Sequence, residues 1–220
     1  MTKYYDDYRG VDNLVYAHVT ADDADSYTTG AVQDLIPVAE ISKSTEASSA
    51  SKYYDNIPAI VINSEGADEI TITGAAIPLD VLADITGKTI DTASGAFIDG
   101  PGVPPYLAIG YKYGLTDGSE VVYWRLKGKF SLPEATSVTE DDGTDSNGQE
   151  LKFTGVNTNH KFTSTGKTAK GVVLDSRVSD FTDADVFAQV VTPDNLTEVG
   201  VTRKAATQET DTQETDTQGE

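Results

Sequence analysis

Apolar and polar residues alternate along much of the chain, with the period of two that is typical of β-strands. In residues 14–20 (LVYAHVT), Val15, Ala17 and Val19 fall on one face, and Tyr16, His18 and Thr20 fall on the other. Residues 69–73 (EITIT) alternate in the same way. Further strands are predicted near residues 35–41, 57–63, 150–155, 160–165 and 169–175. The pattern therefore predicts a mainly β protein.

The clearest local signal is a hairpin over residues 106–130. Two alternating runs flank Asp117-Gly118, a residue pair that favours a tight turn between antiparallel strands. In the second run, one face is predicted to carry Trp124, Leu126 and Phe130. The opposite face is predicted to carry one aromatic and three basic residues, namely Tyr123, Arg125, Lys127 and Lys129.

Two helices are predicted beside the strands. The first follows Ile77, with Pro78 suited to the first helical position and Gly87 suited to the end. The second spans residues 182–191, where apolar residues recur at helical spacing before Pro193 ends it. One or two helices are thus expected to flank the strands.

The chain of 220 residues is long enough for one domain with its own hydrophobic core. We assign residues 1–204 to this β domain. Residues 205–220 contain TQETD twice, with five acidic residues and no basic one, and are expected to be disordered. Residues 139–149 (TEDDGTDSNGQ) contain no apolar side chain and are predicted to form an acidic loop.

The chain is strongly acidic, with 16 Lys and Arg against 36 Asp and Glu and a net charge of −20. A surface that grips nucleic acid must neutralise phosphates with basic residues, so that function is disfavoured. No basic segment followed by an apolar run opens the chain, and the longest apolar stretch, residues 57–62, includes Pro58. We therefore expect a soluble protein made inside the cell, with no secretory signal and no membrane contact.

No catalytic, cofactor or metal site is expected. Cysteine is absent, and the two histidines, His18 and His160, are predicted to lie on the surface. Two Gly-Lys-Thr fragments, at residues 87–89 and 166–168, lack the earlier glycine of a phosphate-binding loop. The acidic loop lacks the glycine and carboxylate spacing of a calcium-binding EF-hand. The sequence therefore predicts that the protein is not an enzyme.

Several short segments carry a resemblance to a known family. They are VDNLVYAHVT (11–20), AEISKSTE (39–46), YYDN (53–56), IVINSEGADEIT (60–71), PLDVLADITGKT (78–89), TEDDGTDSNGQ (139–149) and GKTAKGVV (166–173). In this order they resemble the major tail proteins of bacteriophages with long, non-contractile tails, the group found mostly in phages of Gram-positive hosts. The resemblance runs from Gly10 to Leu196 and excludes the chain after Val201.

This resemblance implies a tail-tube protein whose fold is a β-sandwich or barrel with a flanking helix. Members of the family form hexameric rings that stack into a tube without a contractile sheath, and the inner strands of neighbouring subunits join into one β-barrel. The implied partners are other copies of the chain, a tape-measure protein, and the tail initiator (distal tail) and tail terminator proteins. Double-stranded DNA passes through the lumen only transiently. The implied location is the virion, after assembly in the host cytoplasm.

Residues 42–56 are predicted to form a Ser-rich loop that reaches an adjacent subunit or ring. Its contact residues are predicted to be Tyr53, Tyr54, Asp55 and Asn56, because aromatic residues are favoured in the cores of interfaces. The alternative is a surface loop without a partner.

The basic residues of the predicted hairpin give a second set of contact residues. Arg125, Lys127 and Lys129 are predicted to pair with carboxylates of a neighbouring copy, since such a strip in an acidic protein favours an acidic partner surface. Binding of nucleic acid or sugar by this strip is the weaker alternative.

Two other functions fit the same composition. These are the functions of a capsid decoration protein and of a carbohydrate-binding β-sandwich. The aromatic residues available for a sugar platform are Tyr111, Tyr113, Tyr123 and Trp124. Self-association separates these functions from a tail tube, because a tube protein must polymerise and a sugar-binding module need not. An acidic hydrolase is disfavoured, since no nucleophile and base are paired.

Overall fold

The computed structural model describes residues 5–54, 57–133 and 148–204. The strands of this part of the chain are β1 (Tyr8–Asp22), β2 (Tyr27–Thr29), β3 (Gln33–Asp34), β4 (Val38–Tyr54), β5 (Ile57–Gly74), β6 (Thr89–Ile90), β7 (Phe97–Ile98), β8 (Leu107–Leu115), β9 (Glu120–Phe130), β10 (Gln149–Gly155), β11 (Gly171–Asp175), β12 (Ser179–Asp180) and β13 (Thr202–Arg203). The helices are α1 (Leu79–Thr86) and α2 (Asp183–Val186). Neither of these two helices has the length and apolar character needed to span a membrane.

Nine strands form one antiparallel sheet. Seven of them follow the order β2-β1-β8-β9-β10-β5-β4, while β11 pairs with β9 and β3 pairs with β1. Two small sheets, β6-β7 and β12-β13, complete the strands of the described residues. The prediction of a mainly β fold with one or two helices is confirmed.

A hydrophobic core covers each face of the large sheet. Consecutive residues of β1 alternate between the cores, with Leu14 and Tyr16 in the first and Val15 and Ala17 in the second. Tyr16, predicted to lie on a polar face, is only 2% exposed. The alternation predicted for this strand is present, but the face assigned to solvent is covered as well.

The large sheet curls, so that strands distant in its order approach each other. Strand β1 packs against the edge strand β4. The Tyr113 hydroxyl of β8 donates a hydrogen bond to the carbonyl oxygen of Ile41 on β4, at 3.3 Å. The first core therefore lies inside the curl, between strands that do not pair directly.

Strand β9 changes face along its length. Trp124 and Leu126 belong to the second core, whereas Phe130 belongs to the first. The pairing of β8 with β9 shifts register between Leu107 and Ile109, and a shift by one residue moves the following side chains to the other face of a sheet. The prediction that these three β9 residues share one face is therefore wrong.

The prediction of two helices is confirmed for α1 and only in part for α2. Helix α1 begins after Pro78 and ends at Gly87, whose φ of 67° is the left-handed conformation that glycine adopts easily. Helix α2 is much shorter than predicted. The Asn195 side chain accepts from the Thr192 N–H and donates to the Val190 carbonyl, at 2.7 and 2.9 Å. Since these backbone groups bond to a side chain, the segment folds as turns instead of a longer helix.

The strand predicted for residues 160–165 is absent, and turns take its place. The Asp194 carboxylate accepts hydrogen bonds from the backbone N–H groups of Thr163 and Ser164, at 2.9 and 2.8 Å. Backbone donors held by a carboxylate are not available to a strand ladder. Among the other predictions, the strand near residues 35–41 begins only at Val38.

Candidate functional site

The hairpin of β4 and β5 extends beyond the body of the large sheet. Strand β5 pairs with β10 only from Gly74 to Asp68, whereas it pairs with β4 out to the pair Tyr54–Ile57. We call residues 46–54 and 57–66 the arm; in the described chain its two strands pair only with each other. At roughly 3.3 Å per residue, the arm is about 30 Å long.

The predicted contact loop over residues 42–56 is therefore a strand as far as Tyr54. That prediction of a loop is wrong because long-range pairing with β5 overrides the weak strand preference of serine. Tyr53 and Tyr54 lie at the outer end of the arm, where they pair with Pro58 and Ile57. Asp55 and Asn56 lie outside the described residues, and the inter-subunit role of all four stays a prediction.

A β-bulge marks the root of the arm. Thr45 pairs with Asp68, but Ala47 pairs with Glu65, so β5 has one more residue than β4 over this interval. The extra residue lies at Gly66 or its neighbour. A bulge bends a strand and increases its twist, and this one lies at the point where the arm leaves the sheet.

One buried carboxylate gathers three basic side chains beside this bulge. Asp68 is 3% exposed at its side chain, and its Oδ2 lies 3.3 Å from both Lys43 Nζ and Arg125 Nη1. Its Oδ1 lies 3.3 Å from Lys170 Nζ and accepts a hydrogen bond of 2.9 Å from the Thr45 hydroxyl. We call these five residues the Asp68 cluster.

The cluster keeps Asp68 ionised. Burial by itself raises the pKa of this carboxyl group, but the hydrogen bond from Thr45 and the charges of Arg125 and Lys43 outweigh it, and the pKa is lowered. Lys170 also donates a hydrogen bond to the carbonyl oxygen of Gly66, at 2.5 Å. The same ammonium group therefore holds both Asp68 and the bulge.

Sequence reasoning missed this cluster, although one signal was present. Gly66 interrupts the alternation that precedes residues 69–73, and an isolated glycine within a strand pattern is typical of a bulge. The partners of Asp68 come from β4, β9 and the segment before β11, so no spacing along the chain brings them together.

The three basic residues predicted from β9 have contacts within the chain. Arg125 pairs with Asp68, and Lys127 forms an ion pair with Asp22; neither basic side chain is more than 11% exposed. Lys129 Nζ lies 4.4 Å from the centre of the Tyr106 ring, a distance typical of a cation–π contact. Their pairing with a neighbouring copy stays a prediction.

The Asp22 carboxylate anchors a second loop to the sheet. Besides Lys127, it accepts hydrogen bonds from the backbone N–H groups of Asn159 and His160, at 2.8 and 2.9 Å. Burial alone raises the pKa of Asp22, but the bonds from Lys127 and the two N–H groups lower it overall. His160 was predicted to lie on the surface, yet its Nδ1 is buried and its ring packs edge-on against Phe162.

The remaining histidine contacts an acidic residue of α1. His18 Nε2 lies 2.9 Å from Asp84 Oδ2, which also accepts a hydrogen bond of 2.8 Å from the Tyr16 hydroxyl. The described residues contain no group of three or more side chains placed to bind a metal ion.

Two of the four aromatic residues considered for a sugar platform are buried. Trp124 is 0% exposed and donates its indole N–H to the Val186 carbonyl at 3.0 Å, and Tyr111 is 2% exposed. Tyr113 is partly buried, and its burial raises its pKa to about 12. A sugar platform needs exposed ring faces, which Trp124 and Tyr111 do not offer, and carbohydrate binding by the chain stays a prediction.

Several basic side chains form ion pairs with acidic residues of the same chain. Lys112 is 8% exposed, and its ammonium group lies 2.8 Å from Glu120 and 2.5 Å from Asp183. Burial by itself lowers the pKa of Lys112, but the hydrogen bonds that its ammonium group donates to these two carboxylates raise it overall. Lys112, Lys127 and the three basic residues around Asp68 therefore have carboxylate partners within the chain.

No family model matches the chain, and no curated protein matches it either. Its function is therefore inferred from the arm, the charge and the resemblance of its sequence segments.

Proposed function

We propose that the chain is a structural virion protein that forms the tail tube of a long, non-contractile-tailed bacteriophage. In this proposal the chain assembles into hexameric rings, and the rings stack into a conduit through which the genome is delivered. The arm is the observation that carries the proposal. A two-stranded hairpin is marginally stable alone in water, so one that extends about 30 Å from the sheet favours a partner that covers it.

The edge of the sheet supports the same proposal. Strand β4 pairs only with β5 in the described chain, over its whole length of 17 residues. A long unpaired edge favours pairing with another chain, and strand addition is a common mode of protein contact. A neighbouring copy that covers this edge extends the curled sheet toward the closed barrel of the tail-tube type.

The charge of the chain fits a conduit for DNA. Each phosphate contact with a basic residue adds affinity, so a wall that lets the genome pass needs few free basic side chains. Here Asp68, Asp22 and the acidic neighbours of Lys112 form ion pairs with basic residues within the chain, while the net charge is −20. This net charge also keeps free subunits apart in solution.

The proposal is tested by negative-stain electron microscopy and light scattering of the purified chain over a range of concentrations. We expect stacked rings or hollow tubes, as open head-to-tail contact between rings grows a filament. A variant in which residues 47–65 are replaced by Asn-Gly shortens the hairpin to its root. We expect this variant to stay folded and to form no tubes.

A matched control ends the chain before Ala205, which removes only the acidic repeat. This shortened chain is expected to assemble like the full chain. Tubes of normal yield from the variant without the arm contradict the proposal. A full chain that stays monomeric at every concentration favours the capsid decoration or carbohydrate-binding function, and a glycan-binding screen then follows.

A further inference from the structure

We propose that the Asp68 cluster, defined above, is a positioning device that sets the direction of the arm before a second copy of the chain docks on it. The docking step rests on the proposed function. The positioning step does not, because it concerns the free subunit and rests on the contacts around Asp68.

The cluster lies where the arm loses its support from the sheet. Asp68 forms the last pair between β5 and β10, opposite Gly155. Beyond it, β5 forms strand pairs only with β4 in the described chain, and the bulge at Gly66 or its neighbour changes its course. A bend at this point works as a hinge unless other contacts fix it.

One hydrogen bond from the cluster crosses this hinge. Asp68 and its partners lie on the body side: Lys43 and Thr45 belong to β4 before the arm, Arg125 belongs to β9, and Lys170 belongs to the segment before β11. Asp68 holds the Lys170 ammonium group beside the bulge. Lys170 in turn donates a hydrogen bond to the carbonyl oxygen of Gly66, which belongs to the arm. The arm is therefore linked to the body through Lys170.

Burial strengthens the ion pairs of the Asp68 cluster. Asp68, Arg125 and Lys170 are 3%, 11% and 15% exposed at their side chains. Ion pairs shielded from water are screened far less by salt than exposed pairs, and a buried charge that loses its partner is strongly unfavourable. Lys170 is therefore held beside Asp68, and any swing of the arm that pulls the Gly66 carbonyl oxygen away from Lys170 meets a restoring force.

A preset arm has a clear use in assembly. Docking of a flexible segment requires that its freedom be lost at that moment, and rigidity established beforehand reduces this cost. A hairpin held at one angle presents the same edge to each arriving copy, whereas a hinged hairpin presents many.

Positioning is measured in the free subunit by the distance between two spin labels. The chain contains no cysteine, so Ser49→Cys in the arm and Ser131→Cys after β9 give two unique labelling sites. Double electron–electron resonance at a concentration below assembly then gives the distance distribution. We expect one narrow peak for the otherwise unchanged chain.

Two substitutions remove the proposed links. Lys170→Met deletes the bonds to Asp68 and Gly66 but leaves Asp68 with Lys43 and Arg125, so the body is expected to stay folded. Asp68→Asn removes the charge at the centre of the cluster. Both are expected to abolish the single narrow peak, and Lys170→Arg is expected to restore it. The matched control is Lys88→Met, because Lys88 is 10% exposed and pairs with Asp99 elsewhere in the chain.

The inference is overturned if Lys170→Met keeps the narrow peak of the unchanged chain while its circular dichroism shows a folded body. It is also overturned if Lys88→Met broadens the distribution as much as Lys170→Met. Failure of the proposed function gives a different result: the peaks behave as expected, but the unchanged chain forms no tubes at any concentration.

Discussion

At the scale of single residues, buried carboxylates hold distant segments of the chain together. Asp22 and Asp68 each accept hydrogen bonds and form ion pairs with basic side chains. Each has a pKa below the ordinary value of 3.8. A carboxyl group with a lowered folded-state pKa stabilises the fold above its unfolded pKa, and this stability is lost as the pH falls through the folded value. We therefore expect acid to weaken the chain below about pH 4.

The Asp22→Asn variant tests this at one residue. Lys127 then stays buried without its ion pair, and breaking such a pair costs about 3–5 kcal/mol in the free energy of unfolding. Urea unfolding at pH 7, followed by the fluorescence of Trp124, measures the loss. We expect the difference from the unchanged chain to shrink as the pH falls below about 4, because Asp22 takes up a proton in the unfolded state at a higher pH than in the folded state.

The control for this prediction is Asp25→Asn, a few residues away on the exposed surface. Its effect is expected to be within about 0.5 kcal/mol, as for most surface substitutions. Equal losses in the two variants contradict a special role for Asp22.

A close contact between backbone and side chain makes a glycine necessary in β9. A Cβ atom added at Gly128 would lie 2.3 Å from Phe153 Cζ and 2.5 Å from the Thr154 carbonyl oxygen. Gly128→Ala is therefore expected to lower the free energy of unfolding by about 3 kcal/mol, at the upper end for overpacking. Urea unfolding measures it, and Gly100→Ala, where no atom lies within 4 Å, is the control expected to be neutral. A neutral Gly128→Ala variant contradicts the close contact.

At the scale of elements, the hairpin of β8 and β9 differs from the hairpin of β4 and β5. The pairs between β8 and β9 join strands connected by the short turn at Asp117-Gly118, and that hairpin was predicted from the sequence. The arm pairs Ser-rich β4 with the apolar start of β5, and its length has a role only if something else contacts it. Its outer end is therefore where assembly is expected to be most sensitive.

The double variant Tyr53→Ala, Tyr54→Ala tests that end of the arm. Loss of aromatic anchors typically costs 2 kcal/mol or more in an interface, or roughly 30-fold in affinity. We expect a correspondingly higher concentration threshold for tube formation, measured by light scattering and microscopy. Tyr5→Ala, which removes a tyrosine that is 85% exposed on the body, is the control. Tubes of normal length and yield from the double variant contradict the prediction.

At the scale of the whole molecule, net charge controls how readily copies meet. At −20, subunits repel each other over a distance set by the ionic strength. We expect the concentration threshold for assembly to fall as sodium chloride is raised from about 50 to 500 mM, since the Debye length shortens over this range. Light scattering at a series of salt concentrations measures the threshold. A threshold that rises with salt indicates instead that ion pairs between subunits, such as those predicted for Lys129, dominate the interface.

The sequence by itself determined the features that depend on neighbours along the chain. The period of two predicted β1, β8, β9 and the part of β5 at residues 69–73, Asp117-Gly118 predicted the hairpin, and Pro78 with Gly87 predicted α1. Net charge follows from composition alone. Local conformational preference and side-chain alternation suffice for these features, because each is decided within a few residues.

Tertiary structure decided the features whose partners are distant in the chain. Ser-rich β4 is a strand because β5 pairs with it, α2 is short because Asn195 bonds the backbone groups that follow it, and Phe130 changes core after a register shift. The Asp68 cluster joins residues from Lys43 to Lys170. Burial and long-range pairing override local preference at such positions, so no pattern along the sequence contains them.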